Sequence, residues 1–287
     1  MDVVLGMSVA REAVRTVLVE GAGASGVTVD QDDLRVAGTP SAAAATDLAI
    51  ATVLRTRESA AAGGYRLRST GITWTDDAEA AALRDALARR RIEGVTLVSA
   101  FTAAAALAQA LGSASNRDRT ALLFVEPATA TLVVVDTVAG AGAGARRQAL
   151  AKGDAATAQL AAMVSGVPAR QDRPDEVFLV GSGVDIRSIK LALEAATPLP
   201  MTAPEEPELA LARGAALAAA TAQLGEPPTL AIPSKDLAAP ARGPAEDTEA
   251  EAEPNRGRRR RRSVLLAGAA VAVLVAGVAA LALVLTL

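Results

Sequence analysis

Short apolar runs broken by glycine and charge open the chain, and their spacing is that of strands. Val3-Val4-Leu5 meets Gly6, Ala13 to Glu20 runs into a glycine-rich stretch from Gly21 to Gly26, and Val27 to Val36 follows. Consecutive runs of this kind with tight turns predict an antiparallel meander, with Gly6 at its first turn. The period then lengthens. Between Ser41 and Ala62, Leu48, Ile50, Val53 and Leu54 predict the apolar side of a helix. Leu67 to Trp74 predicts a strand, Thr75 or Asp77 a cap, and Ala78 to Arg91 a helix with Leu83 and Leu87 inward.

Strand and helix patterns alternate from there. Val95 to Ser99 predicts a strand, and Thr102 to Leu111 a helix that stops at Gly112. Arg119 to Glu126 and Thr131 to Val138 form a strand pair around Pro127 to Ala130, and Gly140 to Gly144 reads as a turn. Ala155 to Val164 is helical, with Asp154 as its natural N-cap. Val177 to Val180 is a strand that breaks at Gly181-Ser182-Gly183 into a helix carrying Ile186, Ile189, Leu191 and Leu193. Leu199 to Met201 is a further strand piece, and Pro204 and Pro207 lead to a helix closed by Arg213-Gly214-Ala215-Ala216. Together residues 1–224 predict a mixed-sheet α/β domain with a lobe boundary near 112–118.

The C-terminal part has a different character. Residues 225–255 repeat proline and carry Glu246, Asp247, Glu249, Glu251 and Glu253, the composition of a disordered tether. Arg256 and Arg258 to Arg262 stand directly before a charge-free run, Ser263 to Leu287. As a helix that run would be roughly 37 Å long, enough to span a hydrocarbon core of about 30 Å. The run predicts a transmembrane helix. The arginines predict a cytoplasmic flank that meets anionic lipid, and beside a span this reading outweighs nucleic-acid binding. The expectation is a single-pass, tail-anchored inner-membrane protein whose N-terminal domain faces the cytoplasm.

Composition narrows the chemistry. Hydrophobic residues are 51% of the chain but aromatic ones only 2%, so the core must be built from Ala, Val and Leu. Lysine occurs only at 152, 190 and 235; with the alanine load, this arginine bias suggests a GC-rich bacterial genome. There is no Cys and no His, which removes thiol catalysis, disulfides, Cys/His zinc sites and a histidine base. Carboxylates, hydroxyls and backbone amides remain, a set suited to magnesium and phosphate. A glycine turn after a strand, such as Gly181-Ser182-Gly183, lets a nucleotide approach the backbone, and is equally an ordinary strand-to-helix connection.

Several segments, in consistent order over the first 224 residues, resemble the nucleotide-binding domain of DnaK-type heat-shock chaperones, within the actin-like ATPase superfamily. Val4-Leu5-Gly6-Met7-Ser8, with the strand to Glu20, resembles the first phosphate hairpin, D-x-G-T-[TS]. Gly71-Ile72-Thr73-Trp74 is similar to the chaperone strand VTVPA, and Phe101 to Leu107 to the helix start EPTAAAL. Leu122 to Asp136 resembles the second phosphate hairpin, D-x-G-G-G-T, and Lys152-Gly153-Asp154 the GDTHLGG segment. Val177 to Ile186 resembles the adenosine motif LVGGSxxIP, and Glu208 to Ala216 its DEAVAxGAA continuation.

The resemblance implies a two-lobed, ribonuclease H-like domain and ATP with magnesium as the cofactor to test. It points to Gly6 and Ser8 for phosphate, Glu126 for magnesium through water, and Gly181, Ser182 and Gly183 for the nucleotide. Each has an ordinary alternative as a turn glycine, a solvated strand-end carboxylate or a loop. Departures are plain. Val4 stands where the first hairpin has its Asp, and Glu126-Pro127-Ala128 replaces the second hairpin's Asp and glycines, removing an amide donor. The interval between Asp136 and Val177 is too short for the subdomain that clamps adenine. No catalytic residue is assigned.

The expected function is therefore a degenerate ATPase domain serving as a binding or scaffold module for a protein partner, in a cell-envelope context that includes membrane-bound actin relatives. The alternative is an active or switch-like membrane ATPase that regulates a partner. Nucleic-acid binding is not expected. Without a peptide-binding β-domain, neither is action on unfolded substrates.

Overall fold

Two five-stranded sheets of the same topology face each other across a pair of alanine-rich helices. The computed structural model describes residues 1–74, 76–136, 142–166, 174 and 176–225. The expected tether, arginine run and transmembrane segment (226–287) lie outside the described residues, as do Thr75, positions 140 and 141 of the expected turn and most of the 168–174 stretch. Among the described residues no helix is long and apolar enough to cross a membrane.

The first sheet has the order β3-β2-β1-β4-β5. Strands β1 (Asp2–Val9), β2 (Ala13–Glu20) and β3 (Thr28–Arg35) form the antiparallel meander that the N-terminal pattern predicts. Helix α1 (Ala42–Ala62) leads to β4 (Arg66–Trp74), parallel to β1, and α2 (Asp77–Arg89) to β5 (Val95–Ser99), parallel to β4. The second sheet repeats the plan as β10-β9-β6-β7-β8. Its members are β6 (Arg119–Val125), β7 (Thr129–Asp136) and β8 (Gly142–Ala149), then α4 (Asp154–Ser165), β9 (Val177–Gly181), α5 (Ile186–Ala196) and β10 (Met201–Thr202). One further helix closes each half: α3 (Ala100–Ala114) and α6 (Ala210–Gln223).

Those two helices are exchanged. Helix α3 lays Ala103, Ala104 and Leu107 against Leu122, Phe124, Val133 and Phe178 of the second sheet. Helix α6 lays Ala212, Ala216 and Ala220 against Val4, Val17 and Val19 of the first. The helices also meet each other, and alanine is what allows this: a small side chain lets backbones approach where a larger one would hold them apart. Three glycines complete the fit. A Cβ on Gly6 would sit 1.9 Å from the Ala212 carbonyl oxygen, one on Gly71 2.0 Å from that of Ala215, and one on Gly214 2.0 Å from that of Ala103.

Several local expectations need correction. Gly6 is not at a turn: β1 runs through it to Val9, and its lack of a side chain serves the contact with α6. Gly214 does not close α6, which continues to Gln223, and Gly112 does not end α3, which reaches Ala114. Asp76, not a neighbour, caps α2, accepting from the amides of Ala78 and Glu79 at 2.8 and 3.2 Å. Asp154 is the first residue of α4 rather than its cap; that position is Gly153, at φ 66°. Strand β8 begins inside the stretch read as a turn and runs on to Ala149, where no element was expected, because GAGARRQA has no apolar alternation and pairing with β7 orders it. On α1, Leu54 is exposed, and the buried face is Ala45, Ala49, Ile50 and Val53. Leu83 and Leu87 do point inward.

Candidate functional site

A cleft of about 740 Å³ opens where the β1–β2 hairpin of the first sheet meets the β9–α5 turn of the second. Its walls are Ser8 to Ala13 on one side and Gly181 to Arg187 on the other, with Arg15, Arg35 and Thr73 deeper along the first sheet and Pro207, Glu208 and Leu211 at the start of α6.

The β9–α5 turn is shaped by two glycines with different tasks. A Cβ on Gly181 would meet Ile186 Cδ1 at 2.5 Å and Val184 Cγ2 at 2.6 Å, so this glycine is demanded by packing. Gly183 lies at φ 69°, a region costly for L side chains, and turns the chain into α5. Between them the Ser182 amide donates to the Val125 carbonyl at 2.9 Å, tying the turn to the end of β6. Asp185 then caps α5: its carboxylate accepts from the amides of Arg187 and Ser188 at 3.1 and 3.2 Å and from the Ser188 hydroxyl at 2.6 Å. The Ser188 hydroxyl, then the Ser188 amide, holds the Asp185 carboxyl below the usual carboxylate range.

Both hairpins that would face a phosphate chain are closed on themselves. Ala10 and Ala13 exchange backbone bonds of 2.9 and 3.3 Å, leaving Arg11-Glu12 as a tight turn. In the other, the Glu126 amide donates to the Thr129 carbonyl at 2.8 Å around Pro127-Ala128, and the Ala128 carbonyl accepts from Leu150. A phosphate loop presents successive free amides. Here short turns and a proline have taken that role away.

The sequence-derived candidates consequently separate. Ser8, Gly181, Ser182 and Gly183 all line the cleft. Gly6 is buried under α6 and does not line the cleft. Glu126 lies outside the cleft lining, where it accepts from the Thr129 hydroxyl at 2.9 Å and faces Arg147 at 3.8 Å. A carboxylate already matched by a hydroxyl and a guanidinium is poorly placed to hold magnesium through water. Among the described residues no group of three or more acidic side chains could hold a metal ion. The residues present thus do not fit a magnesium-triphosphate site.

What the sequence reading missed is the set of arginines. Arg11, Arg15, Arg35 and Arg187 reach the same cleft from separate parts of the chain. Arg11 also meets Glu79 at 2.9 Å, Arg15 meets Asp33 at 3.2 Å, and Arg187 donates to the Glu205 carbonyl at 3.4 Å. Arg35 has no partner among the described residues. The only local signal was Arg11-Glu12 itself, a charged pair between two apolar runs, which marks a two-residue turn.

Comparison with solved structures places this architecture. Component A of the (R)-2-hydroxyglutaryl-CoA dehydratase of Acidaminococcus fermentans is similar at a TM-score of 0.51 and 13% identity, over 78% of this chain and 100% of that one. The activator of the 2-hydroxyisocaproyl-CoA dehydratase of Clostridium difficile, with bound ADPNP, is similar at a TM-score of 0.50 and 10% identity, over 78% and 96%. At such identities the likeness is one of fold, and the fold is the α/β actin-like ATPase fold with two mixed sheets. No curated protein matches the chain in sequence. The model of the family of unknown function DUF7159 matches residues 2–229, and the chain belongs to that family.

Proposed function

We propose that this protein is an actin-fold binding module that does not hydrolyse ATP, held at a membrane by its C-terminal apolar segment and engaging a protein partner from the cytoplasmic side. The observation that carries the reading is the closure of both hairpins, with Glu126 paired to Thr129 and Arg147 rather than directed at the cleft. Phosphoryl transfer in this kind of site depends on positioned amides, a carboxylate-held metal and an ordered nucleophile. These hairpins offer neither a run of free amides nor an unpaired Glu126 for a metal. The run of Arg256 and Arg258 to Arg262 before an apolar stretch supports the membrane part, by the cost of moving guanidinium groups across a bilayer.

A second reading keeps nucleotide but not turnover. The open cleft, its GSG turn and a fold neighbour with bound ADPNP favour a module whose partner affinity changes on binding nucleotide. The likeness to the DnaK-type adenosine motif at Val177 to Ile186 belongs to this reading.

The test uses the full chain in detergent micelles with γ-labelled ATP and magnesium. Phosphate release no faster than buffer is expected; steady turnover that Glu126→Gln abolishes overturns the reading. Flotation with vesicles containing anionic lipid tests the anchor, and a chain that stays at the bottom of the gradient argues against it.

A further inference from the structure

The fold implies a metal-bound triphosphate, and the residues lining this cleft contradict the metal while supplying another source of positive charge. We infer that the cleft takes a phosphate-bearing anion without a divalent cation, its charge met by arginines from both walls: Arg11, Arg15 and Arg35 on the first sheet, Arg187 at the start of α5. The inference rests on the non-hydrolysing reading above and names the ligand class of the same site.

Guanidinium groups suit the task. Each offers five N–H donors in a planar fork that matches phosphate oxygens in pairs, and none loses its charge near neutral pH. In a magnesium site the metal draws phosphate oxygens together and a carboxylate holds the metal. Here the carboxylates of the lining, Glu12, Asp185 and Glu208, form no group that could hold a metal ion, whereas four arginines reach the cleft. Two of them keep carboxylate partners outside the lining, Glu79 for Arg11 and Asp33 for Arg15, each through Nε, which leaves the terminal nitrogens for a ligand. The other two form no carboxylate ion pair at contact distance: Arg187 donates to the Glu205 carbonyl and feels the charge of Asp185, and Arg35 meets none of the described residues through its side chain.

Against them stand Glu12, Asp185 and Glu208 in the lining. Asp185 is committed to the N-terminus of α5 by its bonds with Arg187 and Ser188. Within the lining four arginines stand against three carboxylates, and they come from both walls, so an anion seated there bridges them. The volume of about 740 Å³ lies in the range of small-molecule sites, with apolar walls from Val184, Ile186 and Leu211 beside the charged ones.

The experiment measures the thermal midpoint of the full chain in detergent micelles with ATP or with inorganic tripolyphosphate, each in EDTA and in magnesium chloride. Binding to the native state alone raises the midpoint in proportion to ln(1 + [L]/Kd). The expected result is a rise in EDTA at least as large as in magnesium. Arg35→Gln and Arg187→Gln should each weaken binding by about ten-fold, the loss of one charge-assisted hydrogen bond. Arg84→Gln, on the exposed face of α2, should change nothing.

A rise from both probes identifies the phosphate chain as what is recognised, and a rise from ATP alone adds the nucleoside; both support the inference. A rise that requires magnesium overturns it, as does no rise from either probe or an undiminished rise in the Arg35→Gln/Arg187→Gln double variant. The two readings fail separately. ATP turnover sinks the proposed function, whereas magnesium-dependent binding without turnover sinks only this inference.

Discussion

Replacing Gly6 with alanine adds one methyl group to the middle of β1, and the structure says where it must go. It would stand 1.9 Å from the Ala212 carbonyl oxygen and 2.9 Å from both the Ala212 carbonyl carbon and the Ala216 Cβ. Real Cβ contacts essentially never fall below 3.0 Å, so α6 would have to retreat by more than an ångström at this point. It has nowhere to retreat. On its far side Gly214 already brings α6 so close to α3 that a Cβ there would meet the Ala103 carbonyl at 2.0 Å.

Overpacking a well-filled core costs about 1–3 kcal/mol, occasionally more. A clash with backbone on both sides belongs at the upper end. The stiffer unfolded chain returns only about 0.4–1 kcal/mol where alanine fits without strain, and here it does not fit. Gly6→Ala is therefore expected to destabilise by about 3 kcal/mol, which for a domain of this size lowers the thermal midpoint by roughly 6–12 °C. Denaturant unfolding can be followed through the fluorescence of Trp74, the only tryptophan. Gly23→Ala, where an added Cβ meets only the Ser25 hydroxyl at 4.0 Å, is the control and should be neutral or slightly stabilising. If Gly6→Ala unfolds at the same denaturant concentration as Gly23→Ala, the argument for close helix–sheet contact is wrong.

Two other outcomes follow from the packing and the caps. Phe124 is 2% exposed and meets Phe101 edge to face, with centroids 6.0 Å apart, so Phe124→Ala should cost about 3–5 kcal/mol; a loss below about 1 kcal/mol in equilibrium unfolding would show that the core between α3 and the second sheet is not as filled as described. Asp185→Ala should lower stability near neutral pH by removing the cap of α5. Because the folded carboxyl lies below its unfolded value, that contribution is complete above the unfolded value and disappears as pH falls through the lower folded one. The urea midpoints of parent and variant should converge in acid, and a gap that widens there would contradict the assignment.

Much of the architecture could be read along the chain, since strand and helix periods are local properties. The bounds of β2 and the inward Leu83 and Leu87 came from spacing, and the meander from successive apolar runs, although of its two turns only the one after β2 is glycine-rich. Errors gathered where one residue type serves two purposes. Glycine inside an apolar run reads as a break, yet Gly6 and Gly214 are there for backbones that arrive from far along the chain. Strand β8 was missed because its order comes from β7 and not from its own side chains.

The sequence by itself determined the chemistry available: no thiol, no imidazole, a small-residue core, a first hairpin without its acid, and a second without its Asp and glycines. Only the tertiary structure decided how that chemistry is deployed. It buried Gly6 beneath α6, turned Glu126 toward Thr129 and Arg147, and left Ser8 and the Gly181-Ser182-Gly183 turn facing each other across a cleft. It also gathered Arg11, Arg15, Arg35 and Arg187 around that cleft. The physical reason is that composition and period act over a few residues, whereas a charged cleft is a sum over side chains brought together by folding. An isolated arginine in the sequence resembles any solvated surface charge.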